Sequence, residues 1–154
     1  MMRKLREARG FTLIEMSVII LLIGIVAAFS IPAYLKLNRS LQLKGAVSNL
    51  ASQLQLARAK AMATGTPQAF HFAETGFTSD YHVHNNGAAE PDGQWKLPQN
   101  VTFVWGGLTL GGTPPQVTMT ADGRASQSGI VILQTLGGLR DTVNVQLSGL
   151  VTLQ

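Results

Sequence analysis

The chain predicts an α+β fold, in which one long N-terminal helix packs on a C-terminal antiparallel β-sheet. Three observations carry this reading. Residues 11–35 form a nearly unbroken apolar run with one charge, Glu15. Residues 36–64 keep helical propensity but confine their apolar side chains to one stripe. From Pro67 onward the hydrophobic period falls to two, which is the period of strands.

The first ten residues, MMRKLREARG, hold Arg3, Lys4, Arg6 and Arg9 against one acid, Glu7. The apolar run follows at once. At about 1.5 Å per residue its 25 residues span roughly 37 Å as a helix, enough to cross a hydrocarbon core of about 30 Å. Basic residues before such a span hold the N-terminus in the cytoplasm and place the remainder across the membrane. Two ordinary alternatives exist, a secretory signal cut near Ala27-Ala28 and a plain signal anchor. Neither gives Glu15 a partner, and a carboxylate inside an apolar span costs about 2.5–3.5 kcal/mol.

In residues 36–64 the stripe consists of Leu43, Val47, Leu50, Leu54, Ala57 and Ala61, spaced by three and four. Gly65-Thr66-Pro67 ends the helix, with Gly as the cap and Pro two residues later. A single helix over 11–64 is about 80 Å long, so its N-terminal half must find lipid or other subunits.

Strands are predicted at Gln68–Phe72, Phe77–His84, Val101–Trp105, Val117–Ala121, Ile130–Leu136, Thr142–Leu147 and Leu150–Leu153. Turn signals separate most of them, among them Asn85-Asn86-Gly87, Pro91-Asp92-Gly93, Asp122-Gly123 and Gly137-Gly138. Asn85–Trp95 and Gly106–Gln116 are the longest predicted loops and the expected contact surfaces of residues 65–154.

Composition agrees with this layout. Charged residues make up only 13% of the chain and hydrophobic residues 45%, which argues against disorder and for lipid or assembly contacts. The absence of cysteine excludes disulfides, thiolate zinc sites and a cysteine nucleophile. The net charge of +4 first points to an anionic partner, but much of it lies in residues 1–10. Without them the chain carries +1, divided into −1 from Glu15 in residues 11–35, +5 over residues 36–64 and −3 over residues 65–154.

Residues 9–15 read Arg-Gly-Phe-Thr-Leu-Ile-Glu. This string resembles the processing site of type IV prepilins and type II secretion pseudopilins: a basic leader, Gly, a methylatable Phe, then an apolar run with Glu at the fifth mature position. The resemblance implies that residues 1–10 are a leader. A membrane prepilin peptidase would cut between Gly10 and Phe11 on the cytoplasmic side and N-methylate Phe11. Without a side chain, Gly10 lets the backbone enter a tight cleft. Glu15 can then neutralise the new ammonium of a neighbouring subunit and set axial register; the alternative is a carboxylate snorkelling to the headgroups. Gly24 and Pro32 match helix-weakening positions of the family. Either residues 24–32 extend when the subunit leaves the bilayer, or Pro32 is a simple kink.

The C-terminal half, Val117–Ser126 followed by Val143–Val151, resembles the GspH/FimT group of minor pseudopilins, as does the helix end with Leu54, Ala57, Arg58, Ala61 and Met62. That resemblance implies a pilin-like fold of four segments: leader 1–10, transmembrane and assembly helix 11–35, amphipathic helix 36–64 and β-rich head 65–154. The implied protein is a structural component of a pseudopilus or type IV pilus tip or initiation complex. It sits in the inner membrane with the N-terminus cytoplasmic and the head periplasmic, and its partners are prepilin peptidase, other pilins and membrane lipid. A DNA-binding minor pilin for uptake is the second reading. However, Ser148–Leu153 lacks the arginines of the DNA-binding members, so nucleic-acid contact through that strand is not expected. A secreted domain released by ordinary signal cleavage is the third.

No catalytic residues and no cofactor are expected. There is no nucleophile elbow, and GGLTLGG fits no phosphate-binding pattern. Glu90 and Asp92 alone do not make a calcium site. Trp95 and Trp105 fit core or strand-edge positions better than ligand platforms. His82 and His84 share one strand face, and His71 can lie on a neighbouring strand. The histidines permit zinc but supply no firm fourth ligand, so no metal site is assigned.

Overall fold

The structure is a computed structural model that describes residues 10–154, so positions 1–9 of the expected leader lie outside the described residues. Its first element, α1, runs Leu13–Thr64 as one α-helix with Pro32 inside it. Gly65, at φ 68°, ends it where the Gly-Thr-Pro signal predicts. The chain falls into two compact units that divide between Leu37 and Asn38.

In the first unit the large apolar side chains stand exposed, including Leu13, Ile14, Ile20, Leu22, Ile25, Phe29 and Ile31. This stretch is long and apolar enough to cross a membrane, and none of its most apolar window is buried within the chain.

In the second unit α1 contributes Leu43, Ala46, Val47, Leu50, Ala51, Leu54, Ala57 and Ala61 to the core. All six residues of the predicted stripe are among them. Eight strands follow: β1 Gln68–Phe72, β2 Tyr81–Asn85, β3 Ala88–Trp95, β4 Val101–Phe103, β5 Gln116–Met119, β6 Gly129–Thr135, β7 Arg140–Val145 and β8 Val151–Leu153. They form two four-stranded antiparallel sheets, not one, in the orders β3-β2-β1-β5 and β4-β6-β7-β8. A single hydrophobic core joins the helix stripe to Phe70, Phe72, Tyr81 and Val83 of the first sheet and Val131, Leu133, Val143 and Val145 of the second. Full burial of a side chain such as Leu50 or Leu54 contributes about 1.5–3 kcal/mol.

Three expectations are corrected. The segment Asn85–Trp95 is not a loop: Asn86 and Gly87, at φ 50° and 85°, close a tight hairpin from which β3 returns along β2. Pro91 is tolerated there because β3 is an edge strand, and a register shift between His82 and His84 takes up the irregularity. The expected strand Phe77–His84 begins only at Tyr81. Residues 74–79 form an irregular loop instead, closed at its base where the Ala73 N–H donates to the Asp80 carbonyl at 2.7 Å, and the Asp80 carboxylate accepts the Leu97 N–H at 2.7 Å. Val101–Trp105 stops at Phe103, because Trp105–Gly107 forms a 3₁₀ turn. The stretch Gly106–Gln116 is irregular as expected, and Gln127 pins it by accepting the Gly111 N–H at 3.0 Å.

Candidate functional site

The Gly10–Glu15 string lies at the start of α1. Gly10, Phe11 and Thr12 precede the helix in open backbone, and Phe11 is 72% exposed. Nothing lies within 4 Å of the place a Gly10 side chain would occupy. The Gly10–Phe11 peptide is therefore accessible and non-helical, which a peptidase cleft requires. Thr12 is the helix N-cap, its Oγ1 accepting the Glu15 N–H at 3.2 Å. Thr12-x-x-Glu15 has the spacing of a capping box, a signal the sequence reading missed. Glu15 thus stands in the first turn, where its negative charge complements the helix dipole.

Ser17 Oγ donates to the Leu13 carbonyl at 2.8 Å, so its hydroxyl is paired within the helix. The helix continues through Gly24 and Pro32 without interruption. No atom crowds Gly24, and Pro32 offers no N–H to the preceding turn, so both remain positions of low helical stability.

Within the second unit, Arg58 binds the two stretches that carry the C-terminal resemblance. Its Nε donates to the Gly123 carbonyl at 2.7 Å and its Nη2 to the Ser148 carbonyl at 3.2 Å. Lys60 forms an ion pair with Glu90 of β3 at 2.5 Å. Two of the five cations of residues 36–64 are thereby engaged inside the chain. Arg140 donates to the Gln134 side chain at 2.9 Å, and β8 carries no basic residue. Trp95 stacks on Phe70 and Tyr81 at centroid distances of 6.1 and 5.6 Å and packs against the core, whereas Trp105 is exposed.

The three histidines converge on the face of the first sheet opposite its core residues. His71 of β1 is the cross-strand partner of His82 of β2, and His84 follows two residues later. Glu74, from the loop after β1, joins them. Its Oε2 lies 2.7 Å from His71 Nδ1, 2.9 Å from His82 Nε2 and 3.6 Å from His84 Nε2. His82 Nε2 is also 2.9 Å from His84 Nε2. Phe77, in the same loop, stacks over the His82 ring at 3.9 Å and covers it. Burial raises the Glu74 carboxyl, but its hydrogen bonds with His71 and His82 outweigh this and hold it below the ordinary value. Burial lowers both His82 and His84, and neighbouring imidazoles add to the effect. Glu74 escaped the sequence reading because it follows the strand in an irregular loop, where no spacing rule reaches.

Comparison with known proteins bears on most of the chain. Residues 46–150 match the family model described as type II transport protein GspH. Residues 5–31 match the prokaryotic N-terminal methylation motif. Among solved structures, the minor pseudopilin EpsH from the type 2 secretion system of Vibrio cholerae resembles this chain with a TM-score of 0.57 at 14% identity, over 73% of this chain and 96% of that one. No curated protein sequence matches the chain.

Proposed function

The chain belongs to the family of the type II transport protein GspH, and we propose that it works as a minor pseudopilin processed at Gly10/Phe11 and incorporated at the tip or initiation complex of a secretion pseudopilus. One observation carries this reading: the Gly10-Phe11…Glu15 string stands immediately before a membrane-length helix on the same chain as the GspH segment. Before processing, residues 11–35 anchor the protein in the inner membrane as a single span, with residues 1–10 in the cytoplasm and the β-rich part in the periplasm. Prepilin peptidase exposes a new ammonium at Phe11. In the filament, a neighbouring Glu15 neutralises it, because an unpaired charge among packed apolar helices is strongly unfavourable. The role is structural, with binding and register in place of catalysis.

Two variants separate the steps. Gly10→Val fills the space the peptidase needs and leaves the precursor uncut, as a mass spectrum of the membrane fraction will show. Glu15→Leu leaves cutting intact and abolishes cross-links to the other pseudopilins. Normal assembly of Glu15→Leu would remove the pairing role from this account.

A further inference from the structure

We propose that His71, Glu74, His82 and His84 form a site for one divalent transition-metal ion, zinc by chemistry, which clamps the loop after β1 onto the outer face of the first sheet. This site is independent of the processing string.

One ligand atom from each of the four residues lies within 4.8 Å of every other. The edge of a tetrahedral zinc site is about 3.3 Å, as follows from Zn–N distances of about 2.0–2.1 Å. The separations of 2.7, 2.9 and 3.6 Å to Glu74 Oε2 bracket that edge. Three elements supply the ligands: β1, β2 and the loop between them. The two strands fix three imidazoles at adjacent ladder positions, and only the carboxylate depends on the loop.

Glu74 Oε2 accepts from His71 Nδ1 and His82 Nε2, and His84 Nε2 sits against the same His82 nitrogen. A neutral His82 has one proton at Nε2 to serve two acceptors. A cation at the centre meets all four lone pairs at once. Metal binding takes neutral imidazoles and an ionised carboxylate, the forms in which all four groups present lone pairs.

His82 is fully buried and its Nδ1 has no partner, whereas His71, Glu74 and His84 are 12%, 23% and 13% exposed at their side chains. An ion can therefore enter from the solvent side and be held against a buried ligand beneath Phe77. Three imidazoles and one carboxylate select zinc over calcium or magnesium, which prefer oxygen donors. Four protein ligands close the coordination shell, so the ion is structural and supplies no open position for catalysis.

The test uses the full chain without a histidine tag, purified in detergent micelles and stripped with a chelator. Zinc chloride is titrated calorimetrically and cobalt chloride by visible absorption. One equivalent of zinc, the intense cobalt absorption of a tetrahedral site and a zinc-dependent rise in melting temperature are expected. Glu74→Gln and His84→Gln alter partly exposed side chains and should each weaken zinc binding by at least about tenfold while leaving the metal-free melting temperature in place. Equal affinity in these variants would overturn the site. So would a wild-type chain that binds less than one equivalent or gives the weak spectrum of octahedral cobalt, and that result needs no variant to fold.

Discussion

Arg58 Nε donates to the Gly123 carbonyl at 2.7 Å across 65 residues of sequence, and the Ser148 carbonyl accepts from the same guanidinium. The end of α1 is thus tied to the turn after β5 and to the turn between β7 and β8. Gly149 completes the junction: a Cβ there would collide with the Gly123 carbonyl oxygen and lie 2.8 Å from Arg58 Nε, at a φ of 76°. Arg58→Ala should cost about 1–2 kcal/mol, as for charged hydrogen bonds at a partly buried site. Gly149→Ala should cost about 1–3 kcal/mol through backbone strain and displacement of Gly123. Thermal unfolding of the single and double variants should give non-additive losses, because both break one junction. Additive losses would mean that the two sites are independent.

The helix stripe makes a sharper prediction. Leu54 is fully buried, whereas Leu56, two residues on, is 59% exposed. Leu54→Ala should lose about 2–5 kcal/mol of stability. Leu56→Ala should stay within about 0.5 kcal/mol in the isolated chain. Denaturant unfolding of both variants decides, and similar losses would contradict the register of α1 against the sheets.

That stripe was fully legible in the sequence, because a period of 3.6 repeated over five turns admits one buried face. Thr12 as N-cap was legible in principle from Thr12-x-x-Glu15. β3 was not: Ala-Ala-Glu-Pro-Asp-Gly-Gln-Trp lacks β-branched residues and contains two strand breakers, so only the Asn86-Gly87 hairpin and an edge position make it a strand. The division into two sheets depends on which strands cross the core, which local pattern does not encode. The histidine cluster was half legible. His82 and His84 follow from alternation, but Glu74 reaches them only through the irregular loop between β1 and β2.

Alkaline pH should find a weak point at Tyr81. Burial, aided by the adjacent Asp80 carboxylate, pushes its hydroxyl up to about 12 from an ordinary 10.0. Below pH 10 the group is neutral in folded and unfolded chains and makes no difference. Above it, the unfolded chain loses the proton first, so stability should fall progressively between about pH 10 and 12. Tyr81→Phe should flatten that part of the stability profile in chemical denaturation. An unchanged slope would assign the loss to other groups.

The remaining cations of α1 are engaged differently from Arg58 and Lys60. Arg58 and Lys60 are engaged within the chain, whereas Lys36, Arg39 and Lys44 make no ion pair among the described residues. Headgroups or the acidic surfaces of neighbouring subunits are the proposed partners, at about 1 kcal/mol per basic residue near an anionic membrane surface. Charge reversal at Lys36, Arg39 and Lys44 together should reduce recovery in the assembled fraction without changing the melting temperature. Undiminished assembly would end this proposal.

The mass of the mature N-terminus tests the central claim most directly. The protein is isolated from membranes of cells that contain prepilin peptidase, and its N-terminal peptide is sequenced by mass spectrometry. A chain beginning with N-methylated Phe11 is the predicted result. A chain beginning near Phe29, as ordinary signal cleavage would leave it, would contradict the account.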